Sequence, residues 1–188
     1  IFAASDDFLL PNYLERVERL IMKKKEIGLI CAPCLRYSKD DIFNGFYSST
    51  LPCIRPKYFS PTLANQALFK FGCFVKGATA IYNTKLLKKY NGFDHKLQSY
   101  ADTVIAYQLA NHAGIFYDPC PGAYCQRFYT GYASRTMRDI DSLESICRSM
   151  ILKKELLNKN NFKSLIIPLF SRFIALIHYE NYCKIWPR

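Results

Sequence analysis

The stretch that decides the fold is IFAASDDFLLPNYLERVERLIMKKKEIGLICA, residues 1–32. Its first five residues form an apolar run that predicts a buried strand. Pro11 suits the first position of a helix, and apolar residues then recur at helical spacing up to the lysines at 23–25. The run IGLICA at 27–32 predicts a second strand. Strand, helix and strand in this order indicate an α/β fold.

The composition limits the class of protein. The chain has 188 residues, 50% of them hydrophobic and 15% aromatic, which supplies a full core and excludes a disordered chain. Its formal net charge of +11 indicates an anionic partner, which is a nucleic acid, phospholipid head groups or a phosphorylated small molecule. The strand at Ile1 has no partner before it, so we expect the chain to be part of a longer protein.

The eight cysteines are spread along the chain, several of them within apolar runs. A free thiol in such a run acts as a small hydrophobic side chain, so we expect reduced cysteines and a cytoplasmic protein. The motif CAPC, Cys31 to Cys34, leaves two other readings open, a redox pair or a zinc site shared with Cys120 and Cys125. The segment after it, residues 33–60, is rich in proline and polar residues and predicts a long loop.

The rest of the chain alternates between helix and strand signals. The predicted elements are a helix at 61–72, a strand kinked at Gly77 over 73–83, a short helix capped by Thr84 over 84–92, a helix ending at Gly114, and strands at 115–119 and 122–130. Ser99 and Asp102 have the spacing of a capping box for the helix that ends at Gly114. Helices are predicted from about residue 137 onward.

The last predicted helix, residues 162–186, is apolar over much of its surface and has basic flanks. This pattern suits a terminal helix packed on the domain, and it also suits a helix lying in the interface of a bilayer. No run of about 18 uncharged apolar residues occurs, so a spanning helix is not predicted.

Two stretches taken together resemble the family 2 glycosyltransferases, which move a sugar from a nucleotide diphosphate donor. FAASDDFLLPNYLE, residues 2–15, is similar to the family's strand, acidic turn, proline and helix. GFDHKLQSYADTVIAYQLANHAG, residues 92–114, is similar to its Gly-Phe-Asp turn, its acidic pair and its helix ending in glycine. A weaker similarity, YCQRFYTGYAS at 124–134, covers the family's arginine-containing strand, with Tyr129 where a histidine would stand.

The resemblance implies a partial GT-A fold of the α/β class, with a mixed sheet flanked by helices and a helical C-terminus. Residues 1–135 would form the acceptor-side half of the catalytic domain and residues 136–188 a helical extension. The half that binds the nucleotide would precede Ile1.

The implied activity is a metal-assisted, inverting transfer of a sugar to an acceptor hydroxyl, in the synthesis of a cell-surface polysaccharide or glycolipid. The implied partners are a nucleotide-sugar donor, UDP-linked or with another base, and a saccharide or lipid-linked acceptor. A peripheral contact of residues 162–186 with the inner face of the cell membrane is also expected. No binding of nucleic acid is expected.

The resemblance also assigns the metal ligands and the base. Asp6 falls on the acid that contacts the metal and Asp7 on a supporting acid, so the implied cofactor is Mg²⁺ or Mn²⁺. The family's first acid is replaced here by Ala4. Asp102 falls on the base that takes the proton of the acceptor hydroxyl, with Ala101 in place of the preceding glutamate.

Arg127 keeps the position of the family's arginine and would contact the diphosphate or the acceptor. Lys76 and Arg135 could also meet phosphate, although scattered basic residues are usually solvated surface. Asp94 fits a structural turn. His95, like the other histidines, has no partner spacing that indicates a metal.

Simpler structural roles stay open for the same acids. Asp6 and Asp7 would serve as turn and capping residues, and Asp102 would complement the dipole of the helix it begins. Two other functions also stay open, a basic nucleic-acid-binding module and a noncatalytic peripheral membrane protein that uses residues 162–186.

Overall fold

The structure, a computed structural model, describes residues 7–23, 26–38, 41–47, 50–126, 131–157 and 159–185. The strands in these ranges are β1 (Phe8–Leu9), β2 (Leu29–Cys31), β3 (Cys34–Ser38), β4 (Asp41–Tyr47), β5 (Lys57–Phe59), β6 (Ile81–Tyr82), β7 (Ile115–Tyr117) and β8 (Ala123–Gln126). The α-helices are α1 (Tyr13–Lys23), α2 (Pro61–Phe71), α3 (Thr84–Lys89), α4 (Ala101–Ala113), α5 (Tyr132–Thr136), α6 (Ile140–Leu152) and α7 (Lys159–Ile185). The chain divides into two compact units, Ile1–Gly92 with Asp102–Arg127, and Phe93–Ala101 with Phe128–Arg188.

The first unit contains two four-stranded sheets, with the orders β1-β8-β3-β4 and β5-β7-β2-β6. Each has a central parallel pair, β3 with β8 and β2 with β7, and antiparallel strands at its edges. The predicted α/β class, with mixed sheets flanked by helices, is therefore confirmed. The strand predicted over residues 1–5 lies outside the described residues.

The same two chain segments provide the central strands of both sheets. β2 passes into β3 through Ala32 and Pro33, and β7 passes into β8 through residues 118–122. The segments stay joined between the sheets, because the Asp118 N–H donates to the Cys31 carbonyl and the Gly122 N–H to the Pro33 carbonyl, each at 3.0 Å. The carboxyl ends of β2 and β7 therefore meet where the two sheets join.

The loop predicted for residues 33–60 is wrong, because β3, β4 and β5 all lie within it. β3 and β4 form an antiparallel pair, and β3 also pairs with the distant β8, where Leu35 faces Tyr124. Proline and glycine in this segment favoured a loop, but the pairing with β8 is long-range and has no signal in the local sequence.

The predicted helix after Pro11 is confirmed as α1. Fewer of its apolar residues are buried, however, than the apolar pattern of the sequence predicted. Tyr13 and Val17 are buried in a core cluster, whereas Leu14 is 53% exposed and Ile21 47%. The helix thus buries only the face that packs against the sheet.

The segment 73–83, predicted to be a kinked strand, is mostly irregular. It contains a 3₁₀ turn at Gly77–Thr79, and only the two residues of β6 pair with β2. The cap of α3 also differs from the prediction, since Asn83 rather than Thr84 accepts the N–H groups of Lys85 and Leu86. The side-chain oxygen of Asn83 thus caps the helix in place of the hydroxyl of Thr84.

The helix predicted to end at Gly114 is confirmed as α4, and Gly114 has a φ of 73°. The capping box is wrong, because the buried hydroxyl of Ser99 has no hydrogen-bond partner in the described part of the chain. Seven consecutive residues of α4 are buried, from Val104 to Ala110. A helix buried on all sides is mostly apolar all round, and six of these seven residues are hydrophobic, Gln108 being the exception.

The second unit is helical, as predicted for the end of the chain. Asp94 begins a 3₁₀ turn there by accepting the Lys96 N–H at 3.0 Å, and its carboxylate pairs with Lys153 at 2.8 Å. These contacts agree with the structural role expected of Asp94. α7 continues through Pro168.

Three apolar side chains of α7 lie exposed at helical spacing, Ile167 at 58%, Phe170 at 40% and Ile174 at 47%. Among the helices of the described residues, none combines the length and the apolar character that a bilayer crossing requires.

Candidate functional site

The segment before β6 is fixed across the carboxyl end of β2 by Thr79. The Thr79 hydroxyl donates to the Ala32 carbonyl at 2.6 Å and accepts the Ala32 N–H at 3.2 Å. The Tyr13 hydroxyl donates to the Thr79 carbonyl. These bonds are buried, so they hold the adjoining residues, including Lys76, at the junction of the two sheets.

Asp7 lies directly before β1, at the edge of the sheet that contains β8. Phe8 faces Tyr124 in this antiparallel pair, so the same register puts Asp7 opposite Cys125. Asp7 is partly buried, and its negative charge acts on two thiols: it adds to the raised pKa of Cys125, which hydrogen bonding and burial dominate, and it opposes the lowered pKa of Cys34. Asp6, the other predicted metal ligand, lies outside the described residues.

Asp102 is the second residue of α4. The residue as a whole is exposed, yet loss of hydration around its carboxylate is the largest influence on its pKa, which is raised. The Thr103 N–H at 2.6 Å and the Thr103 hydroxyl at 3.3 Å both donate to Asp102 Oδ1, and these bonds oppose the shift. A methyl group at Gly77 would lie 3.4 Å from Asp102 Oδ2, so the bare glycine leaves room beside that oxygen.

The topology puts Asp102 near the carboxyl ends of β2 and β7, where the two sheets join. α4 leads into β7 through the single residue Gly114, and it therefore runs back along the sheet from the carboxyl ends of the strands. Burial raises the pKa of the buried Tyr82 and of the partly buried Cys73, and the negative charge of Asp102 adds to this rise in both groups.

Lys76 connects the two acids electrostatically. Its positive charge opposes the rise in the pKa of Asp102 and of Cys125, which burial and hydrogen bonding dominate, and it adds to the lowering of the pKa of Cys34. Lys76 therefore acts on Asp102 directly and on the same two thiols as Asp7. The residues around Lys76 include an acid of raised pKa, Asp102, which is a candidate base.

The histidines considered in the sequence lie away from this group. Arg127 lies outside the described residues. His95 has a 91% exposed side chain, and His112 is hydrogen-bonded to the Tyr90 hydroxyl at 3.3 Å near the far end of α4. A cleft of about 580 Å³ lies at that end too, lined in part by Glu26 and Lys85. It is at the amino ends of β2 and β7, away from the acids.

Metal binding depends on the donor side chains that the described residues supply. Among the described residues, no three His, Cys, Asp or Glu side chains are grouped so that they could hold a metal ion, which leaves the zinc site of Cys31, Cys34, Cys120 and Cys125 without support. Asp7 supplies one hard carboxylate oxygen, which fits Mg²⁺ or Mn²⁺ when phosphate and water complete the coordination.

Comparison with models of known protein families and with curated proteins finds no match to this chain. Inference about function therefore depends on the site. Sequence reasoning missed the role of Thr79, and no spacing in the sequence would have indicated it.

Proposed function

We propose that the chain is the acceptor-side part of an inverting glycosyltransferase that takes a nucleotide-diphosphate sugar as donor. The observation that carries this proposal is Asp102, whose pKa is raised while its carboxylate remains reachable from solvent. A carboxylate of higher pKa is a stronger base, and a base is what a hydroxyl acceptor needs. The resemblance of residues 2–15 and 92–114 to family 2 glycosyltransferases points to the same role.

In the proposed reaction Asp102 accepts the proton of the acceptor hydroxyl at Oδ2, the oxygen beside Gly77. The acceptor oxygen then attacks the anomeric carbon from the face opposite the diphosphate, which inverts that centre. Oδ1 is held by the backbone and hydroxyl of Thr103, so the carboxylate keeps its orientation during the transfer.

The leaving diphosphate gains negative charge as the sugar bond breaks. Lys76 is suited to stabilise that charge, because its side chain is only partly buried and its position is fixed by the bonds of Thr79. Asp7, with Asp6 before it, would hold Mg²⁺ or Mn²⁺, which neutralises the same charge when bound. Contact of Arg127 with the diphosphate or the acceptor remains part of the proposal.

Asp7→Asn is expected to weaken metal-dependent donor binding about 10–100-fold, the usual cost of removing a supporting acid. The measurement is calorimetric titration of the full-length protein with the nucleotide-sugar at a series of Mn²⁺ concentrations. Glu15→Gln, an acid in the first turn of α1, is the matched control and should leave the titration unchanged. Equal metal dependence in wild type and Asp7→Asn would argue against the metal role.

Peripheral attachment to the inner face of the cell membrane stays part of the proposal. It is supported by the exposed Ile167, Phe170 and Ile174 of α7 and by the nearby cations Lys163 and Arg172. No observation favours the nucleic-acid-binding alternative over the sugar transferase.

A further inference from the structure

An apolar groove lies at the amino end of β2, beside the end of α1. Its volume is about 300 Å³, which is within the range of pockets that hold small molecules. The segment after β6 is fixed there, because the Asn83 N–H donates to the Gly28 carbonyl at 2.9 Å and the Asn83 side-chain amide to the Ile27 carbonyl at 3.1 Å. We call this the aliphatic groove, since five aliphatic residues form most of its wall: Ile21, Ile27, Leu29, Ile30 and Ile81.

Part of the aliphatic groove is in contact with water. Ile21, near the end of α1, is 47% exposed, and Ile81 on β6 is only partly buried. In the described part of the chain β6 pairs with β2 alone, so the groove lies beside the edge of its sheet. A hydrocarbon chain that entered the groove would remove this apolar surface from water. Each buried methylene group then strengthens binding about fourfold.

The polar end of the aliphatic groove carries a positive charge. Lys85 lines both this groove and the neighbouring cleft of about 580 Å³, so the two are adjacent at this residue. Among the described residues of the groove wall, Lys85 is the one charged group, and no ion pair between described residues uses it. Thr84 lies in the same wall, and because Asn83 caps α3, the Thr84 hydroxyl can donate to a ligand.

We propose that the aliphatic groove binds a free anionic amphiphile, a single unbranched hydrocarbon chain with a carboxylate head. The chain packs against Ile21 and Ile81, and the carboxylate lies at Lys85, where it accepts a hydrogen bond from the Thr84 hydroxyl. Burial of the chain supplies most of the affinity. Lys85 selects the head group, and because exposed ion pairs are weak, this selection is about 2–5-fold.

The proposal is independent of the sugar-transfer activity. The aliphatic groove is at the amino end of β2, whereas the bonds of Thr79 to Ala32 place the segment of Lys76 at the carboxyl end of this strand. Binding of an amphiphile and loss of turnover in a variant of Asp102 are therefore separate results, and neither determines the other.

The test is an NMR titration of the full chain with hexanoate, octanoate and decanoate, each below the concentration at which it forms micelles. We expect amide shifts at Ile21, Ile81 and Lys85, and an affinity that rises about fourfold for each added methylene group. Octanol should bind about 2–5-fold more weakly than octanoate, and octylamine more weakly still.

Three results would overturn the proposal. The first is the absence of shifts at these residues, and the second is equal affinity for hexanoate and decanoate or tighter binding of octylamine than of octanoate. The third is a response to vesicles of anionic phospholipid without a response to the monomeric carboxylates, which would make a bilayer surface the occupant.

Variants of exposed residues separate the two parts of the site. Ile21→Ser should weaken octanoate binding about fourfold or more, whereas Leu14→Ser should not, because Leu14 is an exposed residue of α1 outside the groove wall. Lys85→Gln should abolish the preference for octanoate over octanol. Lys88→Gln, in an exposed lysine of α3 outside the wall, should keep that preference. Equal losses in Ile21→Ser and Leu14→Ser, or an unchanged preference in Lys85→Gln, would contradict the proposed placement.

Discussion

Asp102→Asn is expected to lower the rate of sugar transfer by about 10²–10⁴-fold, the usual contribution of a general base, while donor binding changes little. Asparagine keeps the shape of the side chain and can still accept the Thr103 N–H through Oδ1, but it cannot take a proton. The measurement is release of nucleoside diphosphate by the full-length protein in the presence of acceptor. Turnover within a few-fold of wild type would refute the base assignment.

The loss of transfer cannot come from unfolding, since the same substitution should not destabilise the protein at neutral pH. The folded state raises the pKa of Asp102 above its unfolded value, so it favours the protonated acid. Stability is therefore lost as the pH rises through this range, and the uncharged asparagine avoids that loss. We expect a gain below about 1 kcal/mol at neutral pH, because the exposed side of the carboxylate keeps part of its hydration.

Asp94→Asn is the matched control for Asp102→Asn. It also converts an aspartate of the GFD…D stretch to the amide, but Asp94 caps a turn and pairs with Lys153. It should lower stability slightly and leave the turnover of the folded protein near that of wild type.

Gly114→Ala is expected to destabilise the first unit by about 3 kcal/mol or more. Two causes add here. Gly114 has a φ of 73°, where a side chain costs about 1–2 kcal/mol, and a methyl group there would lie 2.3 Å from the carbonyl oxygen of Phe59. That oxygen belongs to the backbone of β5, so relief requires the strand to move.

Gly72→Ala separates these two causes. Gly72 has nearly the same φ, 71°, but a methyl group there would meet nothing within 4 Å. It should cost only the conformational part, about 1–3 kcal/mol, because a positive φ combined with a ψ of −167° is a region that side chains seldom enter. The measurement is urea unfolding of both variants under one set of conditions. Equal losses of unfolding free energy would show that β5 does not approach Gly114 as closely as described.

The sequence alone was sufficient to predict the helices and strands whose signals lie within a short segment. The helices α2 and α4 and the strands β2, β7 and β8 were predicted from apolar runs bounded by proline or glycine, and Gly114 ended α4 where expected. Such local signals predict elements because the spacing of apolar residues typical of a helix or a strand can be recognised within a short segment.

Elements defined by distant partners could not be predicted in this way. β3 depends on its pairing with β8, which is remote in sequence. The cap of α3 is another case, since Asn83 and Thr84 are both good capping residues and only the backbone geometry selects Asn83.

The residues of the candidate site also divide into those that the sequence predicted and those that only the structure identified. Asp7 and Asp102 could be predicted as site residues because the sequence around them resembles a known family. Lys76 was one of several scattered cations, and only the bonds of Thr79 to Ala32 show that its segment lies at the carboxyl end of β2. The position of Asp7 opposite Cys125 required the register of β1 with β8.

The central claim is that Asp7, Lys76 and Asp102 surround one site for a metal and a nucleotide diphosphate. Paramagnetic Mn²⁺ tests it most directly, through broadening of amide signals in an NMR spectrum of the chain with Mn²⁺ and a nucleoside diphosphate. α4 has 13 residues and is therefore about 20 Å long, so its two ends are well separated as reporters. The account predicts strong broadening at Lys76, Thr103 and Cys125 and little at Ala113. Broadening centred on Ala113, or none at Lys76 and Thr103, would contradict it.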